Sequence, residues 1–261
     1  MHFDVQDLRN FYYRSRLGRT AQAVLQARVT QIWTEFKGQT VVGFGFSVPL
    51  LRPFLEGSRR VIAMMPGPQG VMVWPANAPN ISTLIDETAW PIETGFVDKL
   101  IVLHGLETSE QPSAVMDECW RILGPGGRAL FIVPNRAGLW SRSDNTPFGY
   151  GRPYTLRQVE NQLRKHNFVI EQHVSVLYQL PSTRQFWLKS AKLMETIGQR
   201  TPRFLVGGVF IIEVSKRVLG RSGTSVTATS APKLGVLEGL SKPATRPALS
   251  PFDARTVDED G

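Results

Sequence analysis

The sequence holds one cysteine, Cys119, in 261 residues. An intramolecular disulfide is therefore excluded, and a reducing compartment is favoured. No stretch reaches the roughly 18 uncharged apolar residues that a membrane-spanning helix needs. The first ten residues, MHFDVQDLRN, carry acids and no long apolar run, unlike a secretory leader. The expectation is a soluble cytoplasmic protein with no membrane association. No metal-ligating set and no internal repeat is expected. Acidic residues are the scarcer charge, 22 against 30 Lys and Arg, which leaves a formal net charge of +8. Such a balance suits nucleic acid, an anionic surface or an acidic partner. Arg9, Arg14, Arg16 and Arg19 cluster near the start, and the favoured reading places them on the solvated side of a helix.

What is present is enough to build a core: 42% of residues are hydrophobic, which excludes global disorder. Residues 4 to 35 have helical spacing, with Gly18 as a possible break. Thr40-Val41-Val42 reads as a buried strand and Val48 to Leu55 as a helix with Pro49 near its start. Strands are expected at Arg60 to Met65, near Ile81 to Ile85, and at Val97 to His104. Ser109 to Leu123 reads as a helix with Ala114, Met116, Trp120 and Leu123 inward, stopped by Gly126 and Gly127. Further strands are expected at Arg128 to Pro134, Phe168 to Tyr178 and Val206 to Ser215, with helices at Thr155 to His166 and Arg184 to Gly198. The alternation predicts a mostly parallel sheet with helices on both faces. Such sheets take ligands at the carboxyl ends of their strands. Residues 1–37 read as a helical segment, 38–217 as the α/β domain, and 218–261 as a mostly disordered tail.

Three runs, Asp86 to Pro91, Phe96 to Leu106 and Glu118 to Gly127, resemble motifs of the class I S-adenosylmethionine-dependent methyltransferases, in particular the type 11 group. Asp86-Glu-Thr-Ala-Trp-Pro91 resembles the group's acidic D-A-x-x-L-P motif. Asp98 falls in register with its strand aspartate, although Phe96 and Val97 replace the two residues before it. Glu118-Cys-Trp-Arg-Ile-Leu-Gly-Pro-Gly-Gly127 matches E-x-x-R-h-L-x-P-G-G in full, where h is apolar. The resemblance covers residues 38 to 175 and implies a Rossmann-like, seven-stranded, mostly parallel sheet. It also implies S-adenosylmethionine as cofactor, with Gly43, Gly45 and Ser47 on the positions of its glycine loop. Glycine there permits positive φ and close backbone approach, and Ser47 is small enough to cap the next helix.

Two acids of the group are missing. The first-strand acid falls on Val41, and the acid that grips the ribose falls at Met64 or Met65. Each lost charge-assisted hydrogen bond is worth very roughly 1.5–3 kcal/mol, so the pair could cost about two to four decades of affinity. Asp86 keeps the position that approaches the adenine, and Met65 has the shape to pack on the adenine face or in the core. His104, at the end of its strand, is the candidate general base. No N-P-P-Y or D-P-P-Y run follows that strand, which argues against amino-methylation of adenine or glutamine.

Asn135 to Tyr154 is a long loop that follows a strand and should overhang the cleft. Its Trp140, Phe148, Tyr150 and Arg152 suit a lid that selects an aromatic or anionic substrate. The leading expectation is a methyltransferase acting on a small molecule or protein. The first alternative, resting on Val41, Met64 and Met65, is a catalytically inactive relative that binds a partner. The second is an RNA methyltransferase, motivated by charge but lacking an aromatic-interleaved basic strip.

Overall fold

The structure, a computed structural model, describes residues 3–181 and 206–216. The expected helix at Arg184 to Gly198 and the expected disordered tail lie outside the described residues. Seven strands form one sheet in the order β3-β2-β1-β4-β5-β7-β6. They are β1 (Thr40–Gly45), β2 (Arg60–Pro66), β3 (Ser82–Ile85), β4 (Val97–Leu103), β5 (Leu123–Pro134), β6 (Val169–Val176) and β7 (Val209–Ser215). The first five run parallel, and β7 lies antiparallel between β5 and β6. The expected mostly parallel architecture is present.

Alternate residues of the central strands enter two separate cores. Val41, Ala63, Met65, Ile101 and Leu103 face one side; Val42, Phe44, Met64, Leu100 and Val102 face the other. The first core is covered by α1 (Val5–Arg9), a π-helical turn (Asn10–Arg14), α2 (Arg16–Ile32) and α3 (Val48–Leu51). The second is covered by α4 (Pro112–Ile122) and α5 (Leu156–Lys165). Arg9, Arg14, Arg16 and Arg19 are all exposed, as the solvated-helix reading requires.

Several local expectations need correction. The N-terminal break falls at Ser15, whose Oγ accepts from the Gly18 N–H at 2.8 Å and caps α2. Gly18 lies inside α2, where a Cβ would overlap the Phe11 carbonyl oxygen. Ser47 makes no capping bond; α3 is a short turn whose first residues need no side-chain acceptor, and its Oγ instead lies over Gly43. Gly126 has φ 74° but does not end α4, since β5 starts directly at Leu123 and the glycine turn lies within that strand. In α4, Met116 is inward as expected, with Val115, Cys119 and Ile122, whereas Ala114 and Trp120 are half-buried. Burial pushes the Cys119 thiol well up, so it is an inert core group.

The E-x-x-R run is a clamp. Glu118 and Arg121 pair at 2.7 Å, and Glu118 Oε2 accepts from the Trp90 N–H at 2.8 Å. Arg121 donates to the carbonyls of Ile92 at 2.7 Å and Trp90 at 2.9 Å. The motif thereby ties α4 to the segment that carries Asp86 to Pro91. Arg121 and the Trp90 N–H hold the Glu118 carboxyl below its ordinary value. A lowered carboxyl pKa stabilises the fold above the unfolded value, and that contribution disappears as pH falls through the folded one. Arg121→Met is expected to cost about 2 kcal/mol at neutral pH, with the difference from wild type narrowing on acidification to what the carbonyl bonds contribute. Urea titrations at neutral and acidic pH check this.

Candidate functional site

The parallel register brings the carboxyl ends of β1, β2 and β4 to one edge, with Gly45 beside Leu103 and Phe44 beside Met64. The chain turns sharply there. Gly45 has φ 75°, and the Phe46 N–H donates to the Leu103 carbonyl at 2.7 Å. A Cβ on Gly43 would overlap Ser47, and one on Gly45 would overlap the Leu103 carbonyl oxygen. Both glycines are therefore required for the chain's own close packing, and residues 40 to 50 are all buried. Phe44 stacks on Trp90 with centroids 4.5 Å apart, and Phe46 stacks on Tyr12 at 5.7 Å.

His104 sits directly after β4 with φ 52°, a left-handed conformation that costs a non-glycine residue of order 1–3 kcal/mol and clusters at functional positions. Its Nδ1 meets Glu107 Oε1 at 3.0 Å, and its Nε2 meets the Tyr12 hydroxyl at 2.7 Å. Burial, then the charge of Glu107, pushes the Tyr12 phenol well up, so it stays protonated. One ring nitrogen of His104 thus faces a carboxylate and the other a phenol. Gln69 Nε2 donates to the His104 carbonyl at 3.1 Å, as does Thr108 Oγ1 at 3.2 Å. Tyr12, His104, Glu107 and Gln69 are each at most 2% exposed.

Three polar atoms in this cluster lack a partner: Ser47 Oγ, Gln69 Oε1 and Glu107 Oε2. Buried polar atoms are ordinarily hydrogen-bonded, and these three keep capacity for a further partner.

The loop expected as a lid packs against this cluster. Phe148 lies 4.7 Å from the His104 ring and 5.7 Å from Trp140. Trp140 Nε1 donates to the Gln179 carbonyl at 2.7 Å, and the ring fills the space over Gly208. The Arg152 N–H donates to the Glu107 carbonyl at 2.8 Å, and Tyr150 meets Phe3 edge-on at 4.4 Å. Trp140 and Phe148 thus plug the sheet edge, while the Arg152 side chain faces solvent.

Asp86 lies beside this cluster, not within it. It lines a cavity of about 300 Å³ together with Gly67, Pro68, Glu87, Thr88, Glu110 and Gln111. Hydrogen bonds from Thr88 hold its carboxyl below the ordinary value. Met65 belongs to the first core and is fully buried. Asp98 accepts from the Thr40 N–H at 2.7 Å and serves the sheet. Of the residues singled out in the sequence, Gly43, Gly45, Ser47, His104 and Phe148 lie together here. Sequence reasoning missed Tyr12 and Gln69: the first has the helical spacing of a core residue, and the second is a lone amide in a Pro-Gly turn.

A seven-stranded sheet of this order, with a glycine turn after β1 and an acid after β3, defines a Rossmann-like class I methyltransferase fold. Residues 41–131 match the model of a methyltransferase domain family. Solved structures agree in fold. A methyltransferase from Thermotoga maritima is 14% identical, with a TM-score of 0.58 over 82% of this chain and 96% of its own. A chain of the Haloferax volcanii complex between the Trm112 methyltransferase activator and its methyltransferase is 14% identical, with a TM-score of 0.56 over 81% of this chain and 98% of its own. The Streptomyces coelicolor geranyl diphosphate C-methyltransferase, solved with S-adenosyl-L-homocysteine, is 17% identical, with a TM-score of 0.50 over 74% and 75%. No curated protein sequence gives a significant match. Among the described residues no helix is long and apolar enough to cross a membrane.

Proposed function

We propose that the chain is an S-adenosylmethionine-dependent methyltransferase whose cofactor site is rebuilt on its sugar side. The observation that carries this reading is the pair of buried, unpartnered atoms Ser47 Oγ and Gln69 Oε1. They belong to the turns after β1 and β2, the two strands whose family acids fall on Val41 and on Met64 or Met65 here. The cofactor's ribose hydroxyls and ammonium are donors, and orphaned acceptors suit them. Gln69, four residues beyond Met65, takes the place of the missing ribose acid with a neutral amide. Asp86, at the neighbouring cavity, remains available to the adenine amino group. When bound, the cofactor supplies an electrophilic methyl group on a sulfonium.

The chain's own residues do the rest. Glu107 holds the His104 ring through Nδ1, so Nε2 faces the reacting side. Tyr12 covers Nε2, and the phenol must yield this position before a substrate proton can reach it. Phe46, Phe148 and Tyr12 exclude water, which strengthens every polar interaction inside. Orientation supplies most of the acceleration, and His104 adds proton removal.

Calorimetric titration of ligand-free protein with S-adenosylmethionine and S-adenosylhomocysteine is the test. A Kd of about 10–500 μM is expected, weakened by the absent carboxylates. Gln69→Leu should raise it about five- to tenfold, the worth of one neutral hydrogen bond. A non-catalytic relative is the second reading, favoured by the complete burial of the Gly43 to Ser47 turn. Absence of binding at millimolar nucleotide decides for it.

A further inference from the structure

We propose that the face built by the N-terminal helices and the segment after β2 docks on an anionic lipid membrane, with the chain lying on the bilayer and not crossing it. Residues 71–74 alternate in exposure. Val71 and Val73 are 41% and 72% exposed, whereas Met72 packs against the first core and Trp74 is buried. The segment is fastened from behind. Ser82 Oγ donates to the Met72 carbonyl, and the Ile81 N–H donates to the Trp74 carbonyl at 2.9 Å. Two aliphatic side chains are thus held outward on a fixed backbone, where folding gains nothing from them. Leu84, also exposed, stands on the same side of the sheet, because it pairs in register with Met65 of the first core.

Arginines gather at the same place. Burial pushes the Tyr13 phenol up to about 12, opposed by the charge of Arg52, a hydrogen bond with Trp74 and the charge of Arg9. Arg19 Nη1 donates to the Tyr13 carbonyl at 3.2 Å and to the Arg14 carbonyl at 3.0 Å. A Cβ on Gly70 would stand 3.2 Å from Val5 Cγ1, so α1 lies against the start of the segment. Arg9, Arg14, Arg19 and Arg52 are exposed. Among the described residues the arginines that form ion pairs are Arg59, Arg121, Arg128 and Arg164, and none of these four is in that group. The acids of the N-terminal helices are Asp4, which is taken up in capping α1, and Asp7.

Charge and apolar side chains together select the partner. Arginines near an anionic bilayer are drawn to its surface potential, and aliphatic side chains among them enter the boundary between headgroups and acyl chains. Tyr13, half-buried with an apolar ring and a polar tip, suits the same boundary. A nucleic acid would use the arginines but leave Val71 and Val73 in water. Among the described residues no helix can cross a membrane, so the association is interfacial. Nothing in it depends on the cofactor.

Flotation of the full chain with phosphatidylcholine vesicles, pure or mixed with phosphatidylserine, is the test. Binding to the mixed vesicles is expected to be at least about tenfold tighter than to the pure ones and to weaken as salt rises. The double variant Arg9→Gln, Arg52→Gln should bind the mixed vesicles about twentyfold more weakly, at about fivefold per arginine. Val71→Ser with Val73→Ser, which leaves the charge unchanged, should weaken binding about tenfold and shift the melting temperature by less than about 2 °C, since both side chains lie in solvent. RNA is the rival ligand, followed by fluorescence anisotropy at the same salt, and the serine pair should leave any RNA binding unaltered. Equal binding to the two kinds of vesicle, no binding to either, or unchanged binding in either double variant would overturn the proposal. So would RNA bound more tightly than the mixed vesicles, which would make the arginines a nucleic-acid surface.

Discussion

Glu213→Ala is expected to lower folding stability by about 3 kcal/mol, the effect of stripping the partner from buried charges. Glu213 lies in β7 and is 1% exposed. Its Oε1 accepts from Trp33 Nε1 at 3.0 Å and pairs with Arg128 at 3.0 Å, and its Oε2 accepts from Gln172 at 2.8 Å. Lys99 Nζ lies 4.6 Å above the Trp33 ring. This carboxylate thus joins Trp33, just past the end of α2, to β4, β5, β6 and β7. Arg128 is half-exposed and can rehydrate, which keeps the cost at the lower end of the range. Burial, then the charge of Arg128, holds the Lys99 amine below its ordinary value, and Glu213 opposes both. A lowered lysine pKa means that the unfolded chain binds more protons, so stability rises with pH across that window. The deficit of the variant should therefore be largest near neutral pH and narrow toward alkaline pH. Thermal denaturation should show a loss of about 6–12 °C at pH 7. A change under about 1 °C would mean that the cluster contributes nothing net.

A larger loss is expected for Gly45→Val, about 4 kcal/mol or more. Two penalties combine at one residue. The φ of 75° lies in the left-handed region, which is costly for a β-branched side chain. A Cβ would also overlap the Leu103 carbonyl oxygen and crowd Gly105. Those are backbone atoms of β4 and the turn after it, so they cannot rotate away. Chevron analysis or equilibrium urea unfolding checks the value. Mild destabilisation with nucleotide binding intact would contradict the packing described for this turn.

The central sheet and the order of its elements were legible in the sequence because β-branched runs bounded by glycine and proline recur at strand spacing. The E-x-x-R-h-L-x-P-G-G run was legible because its residues bind one another locally. The site was harder to read. Tyr12 reaches His104 across 92 positions, and a phenol at helical spacing is indistinguishable from a core residue until the helix is docked. Gln69 acquires meaning only when the turn after β2 folds against the His104 carbonyl. Ser47 suggested a helix cap, but α3 is too short to demand one, and the hydroxyl faces Gly43 instead. The loop from Asn135 to Tyr154 announced itself by length and aromatics. Whether Trp140 and Phe148 pointed outward or into the sheet depended on Gly208, in a segment some seventy residues away.

The central claim is that backbone turns and neutral acceptors replace the missing carboxylates at the sugar of the cofactor. Saturation-transfer NMR with S-adenosylhomocysteine and ligand-free protein tests it most directly. The account predicts strong transfer to the adenine protons and weaker transfer to the ribose protons, with the ribose signals falling further in Gln69→Leu. Absence of transfer to any nucleotide proton at millimolar ligand would contradict it.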